Sequence, residues 1–324
     1  MRIISYREAI REAIREEMLK DQFLFMIGQD IGKLGGAMKV SEGLQKEFGE
    51  ERIKDTPISE SAMVGCGLGA ALTGCRAIVE IQYSDFLTIC MDQILNQASK
   101  IRYMSGGQAK VPLVIRAPIG GYTNQAAQHS QCPELLFAHF PGIKVVLPSC
   151  PNDAKGLLKT AINDDNLVIF FEHKVLYTLK GEVPEEEYYI PLGKAAIRRK
   201  GKDLTIIAYS YMVQLALNVS NKLALDGIDS EVIDLRTISP LDEETILSSI
   251  EKTNKAIIIH ESWKNFGVGC GIAANIIEKA FDRLDAPIKI IGAENVPIPY
   301  SPVLENFVLP IEEKIINIAK SLFS

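Results

Sequence analysis

The sequence predicts an α/β fold arranged as two successive sheet-and-helix domains, and three observations carry that expectation. The chain has 324 residues, beyond the usual span of one compact domain. Short runs rich in Ile and Val alternate with amphipathic stretches, the pattern of a mainly parallel sheet covered by helices. After Tyr177 this pattern gives way to the charged segment Lys180-Gly181-Glu182-Val183-Pro184-Glu185-Glu186-Glu187 and then resumes. The expected boundaries are a first domain over residues 1–180, a linker over 181–192 and a second domain over 193–324.

In chain order, a short strand comes first. Tyr6, Ala9, Ile10, Ala13, Ile14 and Met18 then recur at three- and four-residue spacing with Glu and Arg between them, which predicts an amphipathic helix. Four glycines between residues 28 and 38 predict a loop, and residues 40–48 a short helix. Residues 77–81 read as a strand, and Asp85 as the cap of a helical stretch reaching about Met104. Strands follow at 111–116, 143–147 and 167–171, with a helix over 152–162. In the second domain, strands are expected at 204–208, 231–235, 256–259 and 288–291. Helices are expected at 212–225, 241–250 and 269–283, and an amphipathic one over 311–322.

Composition excludes several functions. The formal charge is −6 and no basic block occurs, which argues against nucleic acid. Arg198, Arg199 and Lys200 beside Gly201 read as a solvated turn. The start lacks the apolar core of a secretory signal. The longest uncharged small-and-apolar run, residues 62–75, is shorter than the roughly 20 apolar residues of a membrane span. A soluble, cytoplasmic protein with no membrane partner is expected. Cys66, Cys75, Cys90, Cys132, Cys150 and Cys270 form no Cys-x-x-Cys pair and no zinc spacing, and read as reduced residues mostly in apolar settings. No nucleophile elbow, zinc-protease motif or phosphate loop is present, and Gly65-Cys66-Gly67-Leu68-Gly69 lacks a dinucleotide fingerprint. Gly65, Gly69 and Ala70 would let a helix approach another backbone closely.

Two residues invite a functional reading without deciding it. His129 lies in a polar stretch after a strand, where parallel sheets often bind ligands, though from the residues alone a plain polar loop is the favoured reading. Glu60 follows Pro57-Ile58-Ser59 at a helix start, where a carboxylate can accept helix amides or meet a ligand. His139, among apolar neighbours, reads as structural. His173 and His260 follow strands and carry weaker signals.

The segment Asp55-Thr56-Pro57-Ile58-Ser59-Glu60 resembles the beta subunits of thiamine-diphosphate-dependent 2-oxoacid and acetoin dehydrogenases. The resemblance runs on through Glu80-Ile81-Gln82-Tyr83-Ser84-Asp85-Phe86, Arg102-Tyr103-Met104-Ser105-Gly106-Gly107, Gln128-His129-Ser130-Gln131, Thr237-Ile238-Ser239-Pro240 and Pro297-Ile298-Pro299-Tyr300-Ser301-Pro302, covering almost the whole chain in order. It implies a pyrimidine-binding thiamine diphosphate domain followed by a transketolase C-terminal-type domain. It also implies an assembly of two alpha and two beta chains with the cofactor between chains. Magnesium and the diphosphate would be held mainly by alpha, through a Gly-Asp-Gly motif that this sequence lacks.

The resemblance assigns roles residue by residue. Glu60 matches the glutamate that contacts the cofactor's aminopyrimidine nitrogen and sets its tautomer, so that the exocyclic imine can take the thiazolium proton. Phe86 matches an aromatic that packs on the pyrimidine. Gln82 and Ile58 fall near that pocket. His129 matches an active-site histidine acting on the substrate, the reacting intermediate or transfer to a lipoyl group. Some relatives hold a structural potassium ion, and Leu113, Val114, Ala161, Asp164 and Asn166 lie at the corresponding places.

The implied reaction is cofactor addition to a small carbonyl substrate, C–C cleavage, and reductive acyl transfer to a lipoyl group on an acyltransferase partner. Residues 177–184 and Ala126-Ala127-Gln128-His129-Ser130 resemble acetoin dehydrogenases, which places acetoin ahead of pyruvate. Gly267-Val268-Gly269 resembles the pyruvate type, and a branched-chain oxoacid comes third. A catalytically silent assembly subunit is the rival reading, which Glu60 and His129 disfavour. A ferredoxin-linked oxidoreductase lacks its iron–sulfur cysteines.

Overall fold

A reciprocal capping box starts the first helix: Ser5 accepts the Glu8 N–H, and the Glu8 carboxylate accepts the Ser5 N–H. That helix buries Tyr6, Ala9, Ile10, Ala13, Ile14 and Met18, the stripe expected from the spacing. The computed structural model describes residues 1–323. Up to residue 192 the strands are β1 (Arg2–Ser5), β2 (Leu24–Gly28), β3 (Ile53–Asp55), β4 (Arg76–Glu80), β5 (Leu113–Ile119), β6 (Lys144–Val146), β7 (Val168–His173) and β8 (Lys180–Val183). The helices are α1 (Tyr6–Lys20), α2 (Leu44–Phe48), α3 (Glu60–Leu72), α4 (Ile101–Met104), α5 (Glu134–Ala138) and α6 (Pro151–Asn163). Beyond residue 192 follow β9 (Ala196–Arg199), β10 (Leu204–Ala208), β11 (Ser230–Asp234), β12 (Thr237–Ser239), β13 (Ala256–Trp263) and β14 (Lys289–Ala293). Helices α7 (Tyr211–Leu225), α8 (Glu243–Thr253), α9 (Val268–Ala280), α10 (Pro302–Val308) and α11 (Glu312–Lys320) accompany them.

The chain forms two compact units. The first comprises residues 1–119 and 136–192; the second comprises 120–135 and the residues from Gly193 onward. In the first unit, β6-β7-β5-β4-β2-β3 run parallel in that order, and β1 pairs antiparallel with β8. Gly67 fixes how α3 lies on this sheet: a Cβ there would stand 2.6 Å from Val79 Cγ2 and 3.1 Å from Leu113 Cδ1. Across β4, β5 and β7 sits a buried ionic cluster. Arg116 donates from Nε and Nη2 to the two oxygens of Glu172 (2.6 and 2.7 Å) and from Nη1 to Glu80 (2.6 Å), and the Tyr177 hydroxyl donates to Glu172 (2.7 Å).

In the second unit the sheet order is β14-β13-β10-β11-β9, parallel except for the β9 edge. Its core joins Leu204, Ile206, Val213, Val219, Ile257 and Ile315. His260 is fully buried, and a Cβ at Gly267, Gly269 or Gly292 would strike its ring at 2.5–2.8 Å. Burial pushes its imidazole down to about 4, so it packs as a neutral ring. Among the described residues no helix is long and apolar enough to cross a membrane.

Several expectations are corrected. The helix placed at 40–48 shrinks to α2, because Gly43 precedes it in the left-handed region (φ 85°). Asp85 caps nothing. Residues 84–104 break into a 3-10 turn, a π-type stretch in which Ser99 N–H reaches the Ile94 carbonyl, and α4. Residues 180–183, at the start of the segment read as linker, are strand β8. Arg198 and Arg199 lie in β9, paired with Asp234 and Asp229, where a solvated turn was expected. Cys66 and Cys270 are exposed and only Cys90 and Cys132 are buried, so the cysteines are not mostly in apolar settings; all six are free thiols.

Candidate functional site

Thr56, Pro57, Ile58 and Ser59 carry the chain from β3 to α3. Ser59 occupies the cap position without a side-chain bond, so Glu60 is the first helical residue, where the helix dipole favours an acid. Ser61 fastens this start by donating to the Ile89 carbonyl (2.7 Å). Glu60 is half-buried, and the Thr56 hydroxyl is buried with no protein partner among the described residues. Burial first, and then the Glu60 carboxylate, push the Cys90 thiol up to about 12, which leaves Cys90 a packing group with no nucleophilic character. The turn after β4 supplies Gln82, half-buried, and Phe86, whose ring meets Tyr83 edge-on at 6.1 Å. The turn over residues 84–90, which carries Phe86, packs against α3, the helix that Glu60 begins, and Gln82 lies two residues before that turn. Ile58 is 71% exposed beside them.

These residues suit an aminopyrimidine. A half-buried carboxyl and an orphaned hydroxyl can meet ring nitrogens, while Phe86 and Ile58 offer apolar faces. A cavity of about 700 Å³ in the same unit lies elsewhere, walled by Arg102, Tyr103, Gly106, Gly107, Pro141 and Gly142. The close backbone approach expected through Gly65, Gly69 and Ala70 is not made within this chain: a Cβ on Gly69 would meet nothing within 4 Å and one on Gly65 only Gln93 Cγ at 3.9 Å, while Gly67 lets α3 down onto the Val79 and Leu113 side chains.

Of the residues expected around potassium, Ala161, Asp164 and Asn166 fall where α6 ends. Asp164 accepts the Asn166 N–H (2.9 Å) and its side-chain amide (2.8 Å) through one oxygen, and its other oxygen pairs with Lys144. Arg76 donates to the carbonyls of Ile162 and Asp164, both at 3.1 Å. Leu113 and Val114 sit on β5, paired with β4. The carboxylate is thus spent on neighbours, and backbone oxygens are the donors suited to a large monovalent cation. Among the described residues no cluster of three His, Cys, Asp or Glu suits a metal ion.

His129 belongs to the second unit, in the loop formed by residues 120–135. It is half-buried, and its N–H meets the Ala126 carbonyl at 3.4 Å. The loop is strained. Tyr122, Asn124 and Ala126 have φ of 59°, 55° and 61°, a left-handed conformation costing about 1–2 kcal/mol at each non-glycine residue. Buried acids surround it. Glu261 accepts the Gly121 N–H, Glu305 accepts the Asn124 N–H with both oxygens (3.3 Å), and the Tyr122 hydroxyl donates to the Pro310 carbonyl (2.7 Å). Glu134, fully buried, accepts the Tyr209 hydroxyl (2.5 Å), and burial raises its carboxyl to about 7. Sequence reasoning passed over Glu134, Glu261 and Glu305. The available signal was an acid set in an otherwise apolar neighbourhood, as in Ile257-Ile258-Ile259-His260-Glu261.

Comparisons with known proteins agree across the whole chain. Residues 2–180 match the family model for the transketolase pyrimidine binding domain, and residues 193–315 the transketolase C-terminal domain. A pyruvate dehydrogenase E1 component subunit beta of Rickettsia felis is 47% identical, covering 98% of each chain. A 2-oxoisovalerate dehydrogenase subunit beta of Bacillus subtilis is 45% identical over 97% of each chain. The acetoin:2,6-dichlorophenolindophenol oxidoreductase subunit beta of the same organism is 46% identical, covering 99% of this chain and 97% of that one. Among solved structures, a split-gene transketolase crystallised as an inactive beta4 tetramer superposes with a TM-score of 0.82 over 98% of each chain at 21% identity, a likeness of fold.

Proposed function

We propose, from the premise that this chain belongs to the beta-subunit family of thiamine-diphosphate-dependent 2-oxoacid and acetoin dehydrogenases, that it carries the proton-controlling half of a catalytic site completed by an alpha chain. The chain is an oxidoreductase subunit that requires its alpha partner, in an alpha2-beta2 assembly serving a lipoyl-bearing acyltransferase. The observation that carries this reading is Glu60, the half-buried first residue of α3, with the turn that carries Phe86 packed against that helix. Thiamine diphosphate, when bound, supplies the carbon nucleophile and the electron sink for C–C cleavage. Glu60 holds a proton at the aminopyrimidine nitrogen, and Phe86 and Ile58 offer that ring apolar contact. Gln82 orients it from the turn after β4. His129 handles a proton at the substrate oxygen or at the lipoyl sulfur. Magnesium is assigned to alpha. Potassium is assigned to the end of α6, through backbone oxygens at Leu113, Val114, Ala161, Asp164 and Asn166.

The relatives named for pyruvate, 2-oxoisovalerate and acetoin stand within two percentage points of identity of one another, so identity does not rank the substrates. The substrate assigned is acetoin, on the likeness of Ala126-Ala127-Gln128-His129-Ser130 and residues 177–184. Pyruvate is the second reading, on Gly267-Val268-Gly269.

The test is co-expression with an alpha chain carrying Gly-Asp-Gly. Acetoin, pyruvate and branched-chain oxoacids are then compared with an artificial electron acceptor, with and without thiamine diphosphate and magnesium. Beta alone is expected to be inactive. Glu60→Gln is expected to lower turnover about 10²–10⁴-fold in an intact assembly. Undiminished turnover by that variant, or cofactor-dependent turnover by beta alone, would overturn the reading.

A further inference from the structure

The loop that presents His129 carries a conformational load its own sequence does not relieve. Three of five successive residues are left-handed, and none of the three is glycine. Backbone N–H groups in such a loop need acceptors, and here the acceptors are acids held inside the protein. Glu305 is 2% exposed and Glu261 is 6% exposed. Glu305 arrives from α10 and Glu261 from β13, far apart in sequence, yet both reach the same spot. A Cβ built on Gly121 would stand 3.3 Å from one oxygen of Glu305 and 3.5 Å from one of Glu261, as well as 2.6 Å from Leu309 Cδ1. Gly121 is therefore a position where the loop sinks onto both acids.

We propose that Glu305 and Glu261 are positioning residues for His129: through Asn124 and Gly121 they hold the strained loop in the shape that presents the imidazole. The kinetic part of this proposal rests on the role assigned above to His129; the clamp itself does not. Neither acid is offered as a group that touches substrate. A carboxylate accepting a backbone N–H makes a charge-assisted bond, stronger than a neutral one, and within a buried setting it has no water to take its place. Glu305 uses both oxygens on a single N–H, which centres the loop and does not merely tether it. Tyr122 adds a third fixed point through Pro310 and an edge-on contact with Tyr211 at 5.1 Å. With Gly121, Tyr122 and Asn124 pinned, residues 125–129 have little freedom left.

The experiment uses the co-expressed alpha–beta assembly with thiamine diphosphate and magnesium. Glu305→Gln and Glu261→Gln keep size and shape and remove the charge; Glu305→Asp keeps the charge and withdraws it. Two readouts are taken: amide hydrogen exchange over residues 120–131, and turnover with the artificial acceptor beside His129→Ala. Faster exchange in both Gln variants, about tenfold, is expected, with turnover down about 10- to 100-fold and the substrate KM little moved. The double variant His129→Ala/Glu305→Gln is expected to be no slower than His129→Ala, because an acid acting through His129 has nothing left to position. Unchanged exchange in both Gln variants would overturn the clamp. Strictly additive losses in the double variant would overturn its action through His129. If His129→Ala leaves turnover intact while exchange still quickens, the clamp stands and the reading of His129 falls.

Discussion

Each unit buries a trio of acids or an acid–base cluster, and the two do so by opposite means. In the first unit, Glu80 and Glu172 are paired with one arginine, Arg116, which gives three of its N–H donors to them. In the second, Glu134, Glu261 and Glu305 are answered by a tyrosine hydroxyl and by backbone N–H groups. A charge paired with a charge across neighbouring strands locks the sheet, and its loss leaves an uncompensated ion inside. A charge answered by the backbone of a loop fixes the conformation of that loop instead. The first arrangement serves stability and the second serves placement.

The largest expected effect breaks the first arrangement. Arg116→Met should cost about 3–5 kcal/mol, because two buried carboxyls lose the cation that pairs with both. Urea unfolding of the beta chain checks it, and a loss under about 1 kcal/mol would show that the cluster does not bear on stability. Next comes the proton balance of Glu134. Its folded value, about 7, lies above its ordinary value of 4.5. The stability it contributes is therefore fully present below about pH 4.5 and is lost as pH rises through 7. Glu134→Gln should remove that decline, gaining up to about 3 kcal/mol relative to the parent at pH 8 and little at pH 5. Parallel pH–stability curves for the two proteins would contradict it. The smallest effect concerns the end of α6, where Lys144 and Arg76 crowd Asp164. If backbone oxygens hold potassium there, the thermal midpoint should rise with potassium over equimolar sodium by about 1–3 kcal/mol of stabilisation. Equal midpoints would remove the ion.

Strands β10 and β11 were readable because their Ile and Val runs admit few other structures, and β10 has the bounds expected of it. Strands β3, β9 and β12 were not, being three or four residues long and carrying charged or polar side chains that periodicity cannot assign. At the candidate site, the residues alone left Glu60 divided between cap and ligand and His129 between loop and ligand; resemblance gave both their roles and supplied Gln82 and Phe86. The acids around the loop escaped notice for a plain reason: Gly121 and Glu261 are 140 residues apart, and no local pattern records such a partner.

Helix α3 keeps one side for its own sheet and turns Ala62, Cys66, Gly69 and Thr73 outward. Damage on that outer side would cost the lone polypeptide almost nothing. A melting curve of the purified subunit reports on the sheet-facing side alone, so variants on the outer side have to be judged by turnover with both chains in the tube.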